Sequence, residues 1–402
     1  MEIAVAHMLS RKVAEMKPSA TIAMAQKARD LVAKGYDIIS LSLGEPDFGT
    51  PAHIIDAAKK ALDEGYTKYT PVPGHVIYRK AIIEKFKRDN DLHFDLNQIV
   101  VSNGAKQSIA NVCQAILNEG DEVIIFAPYW VSYYEIVKYA DGVPIVISAD
   151  IDQDFKVTPD QLSRAINHKT KAILFSSPCN PTGSVYTKEE LEQLANVIAQ
   201  HKDLIVISDE IYEYINFSGK HASIGAIDSL RDRTVTVNGM SKGFSMTGWR
   251  LGYMGAPKWI ASACEKVQSQ VTSGAASFSQ IAAAEALLAD LSPTIEMSKA
   301  FEKRKKLVLQ GLGEIPGLKL NDPKGAFYVF PDVSEYFGKT NGKSIIDNAD
   351  DFCEVLLEEA HVATVSGSAF GADNCFRISY AASEEELIEA IKRIKNTLAT
   401  YY

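Results

Sequence analysis

The sequence predicts an α/β fold with an open sheet and a ligand crevice at the carboxyl ends of its strands, and three observations support this. Four short apolar runs, rich in β-branched residues, have the pattern of buried strands: Ile99-Val100-Val101-Ser102, Ala172-Ile173-Leu174-Phe175-Ser176, Leu204-Ile205-Val206-Ile207-Ser208 and Thr234-Val235-Thr236-Val237. Each run delivers a polar or glycine-containing segment, and the first leads into a helical pattern from Gln107 to Leu117. The chain is also long enough, at 402 residues with 46% hydrophobic content, to fill one large domain and a smaller one.

In chain order, Leu41-Ser42-Leu43-Gly44-Glu45-Pro46-Asp47-Phe48 is a Gly-Pro turn segment, and Lys68-Tyr69-Thr70 places an aromatic in a surface-like setting. The strand at Ile99 ends on Asn103-Gly104-Ala105-Lys106, a glycine-led helix entry. The next two strands deliver Ser177-Pro178-Cys179-Asn180-Pro181-Thr182-Gly183 and Asp209-Glu210-Ile211-Tyr212-Glu213, and Asn238-Gly239 ends the strand at Thr234. Asp290-Leu291-Ser292-Pro293 and the charged helix through Glu302-Lys303-Arg304-Lys305-Lys306 mark a crossover. Strand patterns around Ala326 to Phe330 and Arg377 to Tyr380 follow, then a helix from Ser383. Taken singly, Asp209-Glu210 is turn or cap chemistry, Asn-Pro-Thr-Gly a turn, and Trp130 and Tyr212 core aromatics. Taken together, four strand ends carry polar groups, and open α/β sheets bind ligands at the carboxyl ends of their strands.

Lys242 is the most informative residue. It lies in Gly239-Met240-Ser241-Lys242-Gly243-Phe244-Ser245-Met246-Thr247-Gly248-Trp249-Arg250-Leu251-Gly252, just past a strand terminus and among small residues. An ammonium there is solvated, paired or chemically used, since burying it alone is costly. Arg250, eight residues on, adds a guanidinium whose fork geometry suits a phosphate.

This run resembles the lysine signature of the fold-type I, pyridoxal-phosphate-dependent aminotransferases of classes I and II. The resemblance extends from about Pro18 to Tyr380 and includes Ala127-Pro128-Tyr129-Trp130-Val131-Ser132-Tyr133 and Gly325-Ala326-Phe327-Tyr328-Val329. Its wording is most like the bacterial aspartate aminotransferases related to aspartate/prephenate enzymes. It implies a large domain at 45–295 with a mostly parallel central sheet wrapped by helices, and a smaller α+β domain from 1–44 and 296–402. Lys242 takes the Schiff-base position, Asp209 pairs with the ring nitrogen, and Asn180 and Tyr212 hydrogen-bond the ring's phenolic oxygen. Gly104, Ala105, Lys106, Ser241 and Arg250 surround the phosphate, and Trp130 stacks on the ring. Arg377, in Phe376-Arg377-Ile378-Ser379-Tyr380, holds the substrate α-carboxylate, and the Gly44 backbone touches substrate. Tyr69 reaches the cofactor phosphate of a neighbouring subunit, which implies a homodimer.

Two departures qualify the match. Gly239 stands where some members carry a serine, so a phosphate hydroxyl contact is absent or supplied by Ser241. No arginine for a substrate's side-chain carboxylate is identifiable, and the resemblance gives that role to Lys106. A lysine in the first turn of a helix is unfavourable near the positive helix end unless it meets an anion, such as the second carboxylate of aspartate.

The formal charge of −9 argues against nucleic acid and acidic membranes as partners. Five scattered cysteines indicate a reducing compartment and eight dispersed histidines no metal site; Cys179 is read as a small buried thiol. There is no internal repeat, no charged start followed by a long apolar run, and no stretch of about 18 apolar residues. A cytoplasmic enzyme is expected. The implied reaction is ping-pong transfer of an amino group from L-aspartate to 2-oxoglutarate, with the freed Lys242 amine moving the α-proton. The alternatives are an aminotransferase for aromatic amino acids, alanine or prephenate, a carbon-sulfur lyase on the same core, and a regulatory module without turnover.

Overall fold

The computed structural model describes residues 8–402. Residues 1–7, the first of the expected small domain and the start of the segment expected to carry no leader, lie outside the described residues. Seven strands form the main sheet: β1 (Ile99–Ser102), β2 (Glu122–Ala127), β3 (Val143–Ser148), β4 (Thr170–Ser176), β5 (Ile205–Asp209), β6 (Thr234–Gly239) and β7 (Gly252–Gly255). Their order is β1-β7-β6-β5-β4-β2-β3, and only β7 runs antiparallel to its neighbours. A parallel sheet needs both faces covered, which explains why these strands are near-continuous apolar runs.

Side chains alternate between the two faces. Ile125, Leu174, Ile207 and Val237 pack under helices Ala105–Ile116, Ser132–Tyr139 and Lys258–Val271, through Ile109, Tyr133 and Ile260. On the other face Ile124, Phe126, Ile173 and Val206 meet Leu191, Leu194 and Ile198 of helix Lys188–Ile198. Farther along that face, Ile99, Val101 and Tyr253 meet Tyr78, Ile82 and Phe86 of helix Val76–Asn90 and Leu287 of helix Ser277–Leu288.

Two strands and one helix differ in their ends from what the sequence predicts. β5 begins one residue later than expected and includes Asp209, whose backbone pairs with Val237. β6 runs through Asn238 and Gly239, because Gly239 still pairs with Gly252 of β7. Helix Ala105–Ile116 starts two residues earlier than the apolar periodicity suggests, directly after Gly104.

The C-terminal part holds a three-stranded antiparallel sheet ordered Val365–Ser366, Phe376–Ser379, Tyr328–Val329. Helices Ser292–Gly313, Ala349–Glu358 and Glu384–Leu398 cover it. The last is capped by Ser383, which accepts from the Glu386 amide, with the Glu386 carboxylate reaching back to Ser383. Ile39–Ser40 pairs in parallel with Val362–Ala363, and Ile39 and Leu41 enter the same core as Phe352 and Ile378. This pairing places the Gly44 loop over the carboxyl ends of the main strands.

Candidate active site

The polar ends of β4, β5 and β6 open into a cavity of about 310 Å³, roofed by the Gly44 loop and by Ser19, Thr21 and Ile22 near the start of helix Ala20–Ala33. At its floor lies Asp209, 4% exposed. Its Oδ2 accepts from the Tyr133 hydroxyl at 2.7 Å and its Oδ1 from the Ile211 amide at 3.2 Å. Burial raises its pKa to about 6 against the lowering effect of those hydrogen bonds. A carboxylate kept this dry is poised to stabilise a positive group.

Lys242 enters from the loop after β6, partly buried, and donates from Nζ to the Gly44 carbonyl. Its pKa is lowered to about 8, chiefly by burial, with Arg377 and Arg250 lowering it further and Glu45 and Asp209 opposing. The amine is thus available as a base or nucleophile near neutral pH. Tyr212, 3% exposed, shares a 2.7 Å hydrogen bond with the Tyr328 hydroxyl.

One end of the cavity is cationic. Arg250 is held by its Nη1 donating to the Thr247 carbonyl at 2.8 Å, beside the start of helix Ala105–Ile116, where free amides and the helix dipole favour an anion. Gly104 does not line the cavity but permits this geometry. It sits at φ +89°, and a Cβ there would lie 2.3 Å from Arg250 Nη2. Ala105 and Ser241 face the cavity at this end. At Gly239 a Cβ would meet the Leu251 carbonyl at 2.8 Å, so a serine there would require the backbone to shift, while Ser241 offers a hydroxyl to the cavity.

The opposite end carries Arg377, 1% exposed, with its guanidinium over the rings of Tyr328 at 4.6 Å and Phe370 at 5.0 Å. It donates to Asn180 Oδ1 at 2.9 Å and to the Ser42 carbonyl at 2.5 Å, while its Nε has no partner among the described residues. With no carboxylate paired to it among the described residues, this buried guanidinium is a ready receptor for one. Lys106 stands exposed at the mouth, Nζ 4.8 Å over the Trp130 ring, its pKa lowered by burial and by Arg250.

The family model for aminotransferases of class I and II matches residues 36–394. The chain belongs to this family. An aspartate aminotransferase of Bacillus sp. (strain YM-2) is 48% identical to it, over 96% of this chain and 98% of that one. An aspartate/prephenate aminotransferase of Nitrosomonas europaea is 46% identical over 97% and 100%. A solved aspartate aminotransferase from Thermus thermophilus with maleate has 43% identity, a TM-score of 0.91, and coverage of 97% and 99%. Of the sequence-nominated residues, the aminotransferase's cavity brings together Gly44, Ala105, Lys106, Trp130, Asn180, Asp209, Tyr212, Ser241, Lys242, Arg250 and Arg377. Tyr69 lies outside it and is 99% exposed. Sequence reasoning assigned no role to Tyr133, Tyr328, Ser176, Glu45 or Thr247, which also line the cavity. Tyr133 and Tyr328 stood inside quoted motifs, yet nothing local showed that their hydroxyls reach Asp209 and Tyr212.

Proposed function

We propose that this aminotransferase uses pyridoxal 5'-phosphate to move an amino group from L-aspartate to 2-oxoglutarate. The observation that carries the reading is the charge layout of one cavity: a buried carboxylate at Asp209, a depressed-pKa amine at Lys242, and two separate cationic ends at Arg250 and Arg377. The orphaned Ser176 hydroxyl and the Gly104 cradle beside Arg250 fit a phosphorylated aromatic ring. When bound, pyridoxal phosphate supplies an aldehyde that captures an amino group and a ring that accepts electrons from the α-carbon.

The protein's own groups then have defined tasks. Arg250, Ser241 and the amides after Gly104 anchor the phosphate. Asp209, as the carboxylate, keeps a proton on the ring nitrogen. Tyr212, whose hydroxyl is oriented by Tyr328, and Asn180, oriented by Arg377, hydrogen-bond the ring oxygen. Trp130 packs against the ring, while Arg377 and the Gly44 backbone orient the amino acid. Lys242 Nζ would hold the cofactor through its aldehyde, and as a free amine it would serve as the base that moves the α-proton. Lys106 meets the second carboxylate; the Thermus relative was solved with maleate, a dicarboxylate, which supports this choice.

The supporting assignments follow from the same reading. Tyr69, fully exposed in one chain, serves the site of a second copy in a homodimer. Ile39 and Leu41 share a core with residues from Met297 onward, which supports a small domain from 1–44 and 296–402 against a large one at 45–295; Tyr212 and Ile215 join that core where the two would meet. A cytoplasmic location accords with five free cysteines, and no helix among the described residues is long and apolar enough to cross a membrane.

A panel of amino donors with 2-oxoglutarate, following glutamate and ammonia together, tests the function. Aspartate-dependent glutamate without ammonia is expected; ammonia without need of an acceptor would assign the protein to the lyases. Prephenate belongs in the panel as acceptor, since the Nitrosomonas relative is named for it. Lys106→Ala should lower kcat/KM for aspartate about tenfold to a hundredfold, one lost charge-assisted contact, while sparing alanine. Gly104→Ala should weaken pyridoxal phosphate binding at least about tenfold, because the methyl displaces Arg250 from the phosphate end, and the strain at positive φ should lower stability by about 1 kcal/mol or more besides. Titration of the apoprotein with the cofactor measures this.

A further inference from the structure

Behind the cavity, on the far side of the strand end that carries Asp209, four ionisable side chains are sealed from solvent. Lys85 on helix Val76–Asn90 is 0% exposed, Glu210 1%, Glu213 5%, and the His221 side chain 6%. Lys85 pairs with Glu213 and donates to Asn90 Oδ1 at 2.6 Å. Asn90 Nδ2 donates to Glu213 Oε2 at 2.7 Å and to Glu210 Oε2 at 3.1 Å. The Ser223 hydroxyl donates to Glu210 Oε2 at 2.5 Å, and His221 Nε2 lies 2.9 Å from the same oxygen. Ser208 donates to Glu210 Oε1 at 3.0 Å. Lys85 and Asn90 already occupy the carboxylate oxygens, which makes this an ion-pair network.

The charges decide the state of His221. Lys85 contributes one positive charge and the two glutamates two negative ones, so the network carries a buried net negative charge unless the imidazole is protonated. An uncompensated buried charge is strongly destabilising. Burial opposes protonation, as does Lys85, but Glu210 and Glu213 outweigh them and hold the His221 pKa above its usual value. Arg88, Asp89 and Tyr214, the next ionisable groups outward, pair with one another. His221 Nδ1 has no partner among the described residues, and the ring joins the network through Nε2. Glu210 follows Asp209 in the chain, and its charge raises the Asp209 pKa.

We propose that His221, held as its imidazolium, is a positioning residue: it neutralises Glu210 and thereby fixes the charge and geometry of the strand end that presents Asp209 and Tyr212. The link to Asp209 rests on the reading of that carboxylate as the partner of the cofactor ring nitrogen; the charge state of His221 does not. Two measurements test the two parts separately. In the full-length protein with ring-labelled histidine, the His221 NMR signal, assigned by its loss in His221→Gln, should remain that of the imidazolium through pH 7 and titrate at higher pH. A neutral imidazole at pH 7 overturns the proposal without any variant having to fold.

The second measurement compares His221→Gln with His221→Gln/Glu210→Gln. The single variant leaves the network at net −1 and the double restores neutrality. His221→Gln should weaken pyridoxal phosphate binding and move the acid limb of kcat/KM upward by about one pH unit, a tenfold effect. The double variant should recover most of both. A double variant as impaired as the single one overturns the charge-balancing role. Asp209→Asn without effect on cofactor binding would instead undermine the ring-nitrogen assignment and leave the His221 titration standing.

Discussion

Replacing Lys242 with alanine is expected to reduce multiple-turnover transfer by about 10⁴-fold or more, because it removes both the attachment point and a proton shuttle worth about 10²–10⁴ by itself. The fold should survive, since the side chain is only partly buried and its one hydrogen bond is to the Gly44 carbonyl. Lys106 is the other lysine lining the cavity, but it stands at the mouth over Trp130, away from the floor where Asp209 lies. Steady-state glutamate formation and thermal unfolding on the same preparations separate loss of chemistry from loss of structure. Retention of multiple turnover would remove Lys242 from its role.

Asp209→Asn should move activity and stability in opposite directions. The amide keeps the shape and a hydrogen bond to Tyr133 but loses the charge, and kcat/KM should fall about 10²–10³-fold, the range seen when one preorganised electrostatic group is removed. The apoprotein should become more stable at pH 7. Asp209 has a folded-state pKa raised from 3.8 to about 6, so burying its ionised form carries a penalty that develops between these values and is complete above about 6. Removing the carboxylate relieves that penalty, so the gain in Tm should be present at pH 7 and vanish below about pH 4. An unchanged Tm at both pH values would mean the carboxylate is not desolvated as described. Active sites commonly hold such destabilising groups in exchange for function.

The parts of this site that were legible in the sequence lie in short contiguous segments at strand ends. Lys242 with Ser241 and Arg250, Asp209 with Tyr212, and Asn180 in its turn each carry local punctuation, and strand periodicity places them on one side of a sheet. The supporting partners were not legible, because their contacts are made by tertiary folding. Tyr133 meets Asp209 across 76 residues, Tyr328 meets Tyr212 across 116, and Arg377 meets Asn180 across 197. Lys85 shows the limit most clearly. In a helix rich in lysine and arginine it has the pattern of a solvated residue, yet it is fully buried against Glu213. Strand edges shifted for a similar reason: Asn238 and Gly239 have turn chemistry, but pairing with the antiparallel β7 keeps them in the sheet.

Reductive trapping identifies the lysine that holds the cofactor. Treating the cofactor-loaded protein with borohydride and mapping the modified peptide by mass spectrometry fixes the pyridoxyl group to whichever lysine holds it. A single adduct on Lys242, in the peptide containing Ser241, is expected. An adduct on Lys106 or on any other lysine, or none at all, would contradict the assignment of Lys242.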